Sequence, residues 1–131
     1  MGIIAYSDQT KLRKFFADQL VGEVRVRLRI HADECSLCGQ AEVVLRETVA
    51  LSDRLTLVTE KGQGPLPGIH LEGGARGEVG FVGLPSGYEF PTFIESIIDV
   101  SRGRTSLSTD ALARLATLRH RVHIQVFTTP T

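Results

Sequence analysis

The sequence has little of several features that would by themselves identify a class of protein. Its 131 residues include no tryptophan, one methionine and two cysteines, and its basic and acidic side chains are equal in number, 15 of each. Two cysteines are too few for the disulfide scaffold of a small secreted protein. Because positive charge is not in excess, binding to the phosphates of nucleic acid or to an anionic membrane is not expected.

The chain also lacks a long hydrophobic run. No segment approaches the roughly 18 apolar residues that cross a bilayer, and Met1–Asp8 has no basic segment followed by an apolar one. We therefore predict a cytoplasmic protein with neither a membrane nor a nucleic acid as partner. Hydrophobic residues make up 42% of the chain and charged residues 23%, as in ordinary folded domains.

Hydrophobic periodicity predicts helices and strands that together indicate an α/β protein. Apolar residues recur at helical spacing in four segments and alternate with polar ones, or form short apolar runs, in five others. The predicted helices are Asp8–Leu20, Ser36–Leu51, Tyr88–Ser101 and Ser108–Arg119. The predicted strands are Val24–Ile30, Leu55–Thr59, Ile69–Glu72, Glu78–Val82 and Val122–Phe127. The first two strands, joined by a helix, should be parallel, whereas the next two should form an antiparallel hairpin.

The end of the chain repeats the pattern of its beginning. Asp8–Ile30 and Ser108–Phe127 each read as an amphipathic helix, a short break and an alternating strand. We interpret residues 1–105 as one unit and residues 106–131 as a helix and a strand that open a second, shorter copy. A strand without its sheet has an unpaired edge, so the sequence predicts a homodimer formed through Val122–Phe127.

Cys35 and Cys38 form a Cys-x-x-Cys pair between a predicted strand and a predicted helix. At a helix N-terminus, unpaired N–H groups and the macrodipole favour a thiolate, so Cys35 is the candidate nucleophile. Cys38, about one turn later, is the candidate resolving cysteine. Asp33 and Glu34 directly precede the pair and oppose the thiolate. The pattern predicts thiol–disulfide exchange, an enzymatic activity that needs no bound cofactor.

Other readings of the same residues stay open. The two cysteines are also compatible with an incidental pair of small buried residues, or with half of a zinc site. The four histidines that could complete a zinc site are not at the usual paired spacing: His31, His70, His120 and His123. Arg25, Arg27 and Arg29 alternate along one strand and predict a solvated or ion-paired sheet face, with an anion site as the lesser alternative.

Three stretches carry a resemblance to a known family. They are FVGLPSGYEF at Phe81–Phe90, IIDVSR at Ile97–Arg102 and VFTTPT at Val126–Thr131. On these residues the chain resembles the glutaredoxin-like protein disulfide oxidoreductases that join two thioredoxin-fold units, and the related N-terminal domain of the flavoprotein subunit of alkyl hydroperoxide reductase. In that family the last stretch runs directly into the Cys-x-x-Cys of the second unit.

The resemblance implies a thioredoxin-like fold and a composition for the site. The fold would be a four-stranded mixed sheet with flanking helices, in which the strand leading to Cys35 is central. Cys35 and Cys38 would be the redox pair, and Pro67, after Leu66 in a Gly-rich loop, would be a cis-proline facing them. Gly64–Leu66 would pair with an extended disulfide substrate, either a protein or a small thiol compound. A flavin-dependent reductase would supply electrons.

The sequence also departs from this family. It lacks the Trp-Cys-Gly-Pro-Cys sequence of thioredoxin, and the segment between Leu57 and Pro67 is too short for a helix that relatives place over one sheet face. An uncovered face must be polar, which fits the alternating arginines. The second unit, usually the more active one, is missing from this sequence. The alternative function is therefore a redox-weak structural or docking unit that positions a catalytic partner.

Overall fold

Eight helices and strands follow one another in the computed structural model, which describes residues 2–31, 33 and 35–129. The helices are α1 (Tyr6–Gln19), α2 (Cys38–Val49), α3 (Glu89–Arg102) and α4 (Thr109–Leu115). The strands are β1 (Val24–Ile30), β2 (Leu55–Lys61), β3 (Gly68–Glu72) and β4 (Val79–Val82). The predicted α/β class and the order of elements through α4 are confirmed. Within the described residues, none of the helices has the length and apolar character needed to cross a membrane.

The strands form one mixed sheet in the order β2-β1-β3-β4. Strands β1 and β2 are parallel, with Val24 opposite Leu55, and α2 forms the crossover between them. Strand β3 runs antiparallel to both β1 and β4. The predicted β-α-β unit and the predicted hairpin are thus confirmed, and β1 is a central strand whose end leads to Cys35.

The two faces of the sheet differ in what covers them. Val24, Val26 and Leu28 of β1 are buried against α1, α2 and α3, which all contribute to one core. The large side chains at its centre are Phe16, Leu45, Ile69, Phe93 and Ile97. On the opposite face β1 presents its arginines, and the segment that joins β2 to β3 contains no helix. The predicted loss of a covering helix is confirmed, because the short connection at residues 62–67 cannot span the open face.

The C-terminal end of α3 ties two turns to the sheet. Gly103 ends the helix with φ 67°, and a Cβ at this position would lie 2.6 Å from the carbonyl oxygen of Gly74. The Ser101 hydroxyl accepts hydrogen bonds from the N–H groups of Val21 (2.8 Å) and Gly22 (2.9 Å). These contacts hold the α1–β1 and β3–β4 turns together at the end of the sheet opposite the cysteine pair.

The last part of the chain differs from the prediction. Helix α4 begins after Ser108, whose hydroxyl accepts from the N–H of Ala111 at 3.1 Å, but it ends at Leu115 instead of Arg119. The predicted strand Val122–Phe127 is wrong, because residues 121–129 form neither helix nor strand. Alternating apolar residues fit a strand only when a neighbouring strand accepts their backbone hydrogen bonds, and the sheet supplies no such neighbour here.

Candidate functional site

Cys35 and Cys38 are joined by a disulfide, and their Cα atoms lie 5.4 Å apart. Helix α2 begins at Cys38 rather than at Ser36, because Leu37 is the N-cap and its carbonyl accepts the first helical bond, from Ala41, at 3.0 Å. Cys35 therefore precedes the helix, as predicted, but by three residues instead of one, which corrects the predicted start of the helix at Ser36. Cys38 occupies the first turn, where N–H groups have no helical acceptor. Glu34, predicted to oppose a thiolate, lies outside the described residues.

The two cysteines differ in their accessibility. Cys38 is only 3% exposed, whereas Cys35 is half-buried and is followed by the exposed Ser36 and Leu37. An incoming disulfide can therefore approach Cys35 from solvent, but it cannot reach Cys38 without first displacing its surroundings. This asymmetry is the one that a nucleophilic and a resolving cysteine require. It also argues against two incidental buried residues.

The loop before β3 provides the second part of the site. The Leu66–Pro67 peptide bond is cis, as the resemblance implies. Pro67 is buried and its carbonyl accepts a hydrogen bond from Gly83 at 2.9 Å, whereas Leu66 is half-buried. Over the described part of the chain, the main chain of residues 63–66 makes no hydrogen bond to other backbone groups. These groups are available to an extended ligand.

The register of the sheet brings the loop and the cysteines to the same end of the molecule. Arg29, near the end of β1, pairs with Gly68, the first residue of β3. Pro67 immediately precedes Gly68, and Cys35 comes five residues after Ile30, the last residue of β1. The two segments that the sequence assigns to the site, Leu66–Pro67 and Cys35–Cys38, therefore lie beside neighbouring strands at one end of the sheet.

The open face beside this end carries the three arginines of β1. Arg27 lies 3.2 Å from Glu72 and 4.0 Å from Glu60, and Arg25 lies 3.8 Å from Glu72. The predicted ion-paired face is confirmed for these two. Arg29 has no ion pair among the described residues, and the sequence analysis did not distinguish it from the other two. The signal that distinguishes it is the pair of glycines, Gly62 and Gly68, against which its side chain lies.

The histidines do not extend the cysteine pair into a metal site. His70 lies in β3 and His31 directly follows β1, whereas His120 and His123 are exposed beyond α4. Within the described ranges, no group of three or more His, Cys, Asp and Glu side chains is placed to hold a metal ion. The disulfide bond also engages both sulfur atoms that a zinc site would use.

A groove of about 610 Å³ lies elsewhere, between the N-terminal segment, α1 and the start of α3. Its apolar walls include Ile4, Phe15, Val44, Pro85 and Phe90. Neither cysteine and neither Leu66 nor Pro67 lines it. The cysteine pair thus belongs to an open surface next to the loop, a form that suits an extended disulfide substrate better than an enclosed small molecule.

Known proteins were compared with the chain at three levels. No protein-family model and no curated protein matches it. Among solved structures, a protein disulfide oxidoreductase from Aeropyrum pernix has a TM-score of 0.78 at 18% identity, covering 89% of this chain and 56% of that one. The alkylhydroperoxide reductase AhpF from Enterococcus faecalis has a TM-score of 0.72 at 20% identity, covering 88% of this chain and 61% of that one.

A further structure, the N-terminal domain of the Enterococcus faecalis protein, has a TM-score of 0.70 at 19% identity and covers 86% of this chain and 59% of that domain. The chain thus spans a little over half the length of these structures. At such low identity the likeness concerns the fold. Together with the sheet order β2-β1-β3-β4 and the Cys35–Cys38 pair at the start of α2, it establishes that the chain has a thioredoxin-like fold.

Proposed function

We propose that the protein is a thiol–disulfide oxidoreductase in which Cys35 is the nucleophile and Cys38 the resolving cysteine. The observation that carries this proposal is the disulfide at the start of α2, in which Cys35 is half-buried and Cys38 is 3% exposed. The solved structures that share the fold include a protein disulfide oxidoreductase, which supports the same chemistry.

The reaction transfers two electrons from the Cys35–Cys38 dithiol to a substrate disulfide. In the reduced protein the Cys35 thiolate attacks one sulfur of a substrate disulfide, whose S–S bond breaks, and the departing thiolate takes up a proton. The Cys38 thiolate then attacks the Cys35 sulfur and releases the second substrate thiol. The substrate disulfide becomes two thiols, while Cys35 and Cys38 become the disulfide seen in the structure. The reverse sequence oxidises a substrate dithiol.

Leu66 and Pro67 are the proposed substrate-binding residues. The unpaired main chain of residues 63–66 lies at the same end of the sheet as Cys35 and can pair with an extended peptide in the manner of an added strand. Such pairing recognises the backbone of the ligand, so it suits disulfide-containing proteins of various sequences as well as small thiol compounds.

The proposed source of electrons is a flavin-dependent reductase, and the proposed location is the cytoplasm, where thiols are kept reduced. The structural likeness to the alkylhydroperoxide reductase AhpF supports a reductase partner. Cys35 lies at the surface, so a partner with its own dithiol can reduce the Cys35–Cys38 bond by the exchange described above.

The proposal is tested by disulfide exchange and by the order of alkylation. The reduced protein, freed of reductant, should reduce a peptide disulfide and convert to the oxidised form with one disulfide formed per disulfide reduced. In the reduced protein, iodoacetamide should modify Cys35 at least about tenfold faster than Cys38, because Cys38 is buried. Mass spectrometry of the quenched reaction measures both. A reduced protein that leaves the peptide disulfide intact, with both thiols equally slow, contradicts the proposal.

A second candidate function is that of a docking unit, and the C-terminal segment favours it. Residues 1–105 would be the thioredoxin-like unit, and residues 106–131 would dock on a further thioredoxin-like unit or on a second copy of this chain. Helix α4 has no buried residue, and Ile124 and Phe127 are 80% and 90% exposed. Pro130 and Thr131, the end of the third family-like stretch, lie outside the described residues. Exposed apolar side chains at this density favour association.

Association through this segment predicts a concentration-dependent dimer. Sedimentation velocity over a hundredfold range of concentration should show the average mass rising from monomer toward dimer. Ile124→Ser combined with Phe127→Ser should abolish the rise, because these side chains supply the exposed apolar area. As a matched control, Val82→Ser removes an exposed apolar side chain from β4 and should leave the association unchanged. Only monomers at high concentration would contradict the homodimer.

A further inference from the structure

Arg29 differs from the other two arginines of β1 in its partners. Arg25 and Arg27 lie within ion-pair distance of Glu72, and Arg27 also of Glu60. Arg29 is half-buried and forms no ion pair with any described residue. Its Nε atom, like that of Arg27, is buried without a hydrogen-bond partner in the described part of the chain. A guanidinium that is partly desolvated and has no counter-ion gains from an anion that reaches it, since part of its desolvation has already been incurred.

Two glycines fix the Arg29 side chain over the open face. A Cβ on Gly62 would overlap Cγ and Cδ of Arg29, so the absence of a side chain there lets the aliphatic stem lie flat on the backbone. A Cβ on Gly68 would lie 3.2 Å from Arg29 Nη2 and 3.4 Å from the carbonyl oxygen of Pro65. The guanidinium and the carbonyl oxygen of Pro65 thus both lie next to Gly68, at the end of the segment Gly64–Leu66 that is proposed to dock the substrate.

We propose that Arg29 binds a carboxylate of the docked substrate, so that the protein favours peptide disulfides with an acidic residue next to the half-cystine. This inference rests on the proposed function and names the substrate class of the same site. The planar guanidinium can donate two parallel hydrogen bonds to a carboxylate, and its stem is already ordered by Gly62 and Gly68, so little rotamer freedom is lost on binding. Arg29 is a specificity-determining residue; it takes no part in the sulfur chemistry.

The neighbouring charges determine how strongly an anion is held. Glu60 is the register partner of Arg29 across the β1–β2 ladder, although its carboxylate lies within ion-pair distance of Arg27 instead. Lys61 is exposed next to it, and His31 follows β1 with a buried Nδ1 that has no described partner. Glu60 therefore competes weakly with a substrate carboxylate, and its removal should strengthen the preference for acidic substrates.

The test compares two peptide disulfides that differ only in the residues flanking the half-cystine, glutamate in one and glutamine in the other. In single-turnover reduction by the prereduced protein, the second-order rate constant should be about fivefold higher for the glutamate peptide, as a partly exposed ion pair predicts. Arg29→Gln should bring this ratio to about one. Glu60→Gln should raise the ratio.

Matched variants distinguish a specific contact at Arg29 from the general electrostatic attraction of the positive charges on β1. Arg25→Gln removes the same charge from the same strand, farther from the docking loop, and should retain the preference. Arg29→Lys keeps the positive charge but not the two parallel N–H donors, so it should retain part of the preference for the glutamate peptide. A ratio of one in the wild type, or the loss of preference in Arg25→Gln as well, overturns the inference. A small disulfide with two carboxylates and its diamide form a further pair. If the carboxylate compound is favoured over the diamide by the same factor as the glutamate peptide is favoured over the glutamine peptide, the assignment to a docked peptide is overturned.

Two further outcomes are distinguishable. If the Arg29→Gln protein does not fold, the proposal is tested by the wild-type ratio measured from about 20 mM to about 500 mM salt. The ion pair between Arg29 and a substrate carboxylate should weaken as salt screens it, so the ratio should fall. A ratio that does not change with salt overturns the inference. If neither peptide is reduced by the wild type, the proposed function fails, whereas equal reduction of both peptides leaves the proposed function standing and removes the role of Arg29.

Discussion

Replacing Cys35 with serine is expected to lower the rate of disulfide reduction about a thousandfold or more. The hydroxyl of serine is far less nucleophilic than a thiolate, and the buried Cys38 cannot take over the attack. Cys38→Ser should have a different effect. The first exchange still occurs at Cys35, but nothing resolves it, so a mixed disulfide between Cys35 and the substrate should accumulate in nearly stoichiometric amount.

Mass spectrometry after acid quenching distinguishes the two variants, since only the Cys38→Ser protein should carry the mass of one substrate thiol. Ser36→Ala is the matched control, because Ser36 lies between the cysteines and is exposed without taking part in the exchange. It should keep the wild-type rate and form no stable adduct. A mixed disulfide that forms on Cys38 in the Cys35→Ser protein, at a rate near that of the wild type, would reverse the assigned roles.

Much of the fold could be predicted from periodicity, because a strand with one buried face alternates apolar and polar residues in its sequence. The side chains of Val24, Val26 and Leu28 are buried and the arginines between them are not, which is the pattern that identified β1. The same reasoning identified α3 and the glycine that ends it, since a left-handed residue after a helix favours glycine. Both signals depend only on neighbouring residues in the sequence, so they can be recognised without knowledge of tertiary contacts.

The start of α2 and the end of the chain could not be predicted in this way. A helix and the turn before it share one apolar pattern, so the spacing predicted a start at Ser36, whereas the helix begins at Cys38. The alternation Val122, Ile124, Val126 has the period of a strand, but a strand also needs a partner for its hydrogen bonds, which a pattern cannot supply. Arg29 likewise differs from Arg27 only through tertiary contacts.

The largest effect on stability is expected at Phe93. Its side chain is 0% exposed on α3, and its ring packs edge-to-face on Phe81 with centroids 5.5 Å apart and against Phe90 at 6.5 Å. Truncation removes the ring contact between α3 and Phe81 of β4 and leaves a cavity that the surrounding core fills only in part. Phe93→Ala is expected to lower the free energy of unfolding by about 3–5 kcal/mol.

Urea unfolding followed by circular dichroism measures this loss, and the chain offers a matched control for it. Phe127→Ala removes the same atoms from a side chain that is 90% exposed, so it should change the free energy of unfolding by less than about 0.5 kcal/mol. In dilute buffer the folded fraction of Phe93→Ala should still reduce a peptide disulfide through Cys35, because Phe93 belongs to the core below the sheet. Equal losses of stability in the two variants would show that α3 is not held to the sheet by this aromatic cluster.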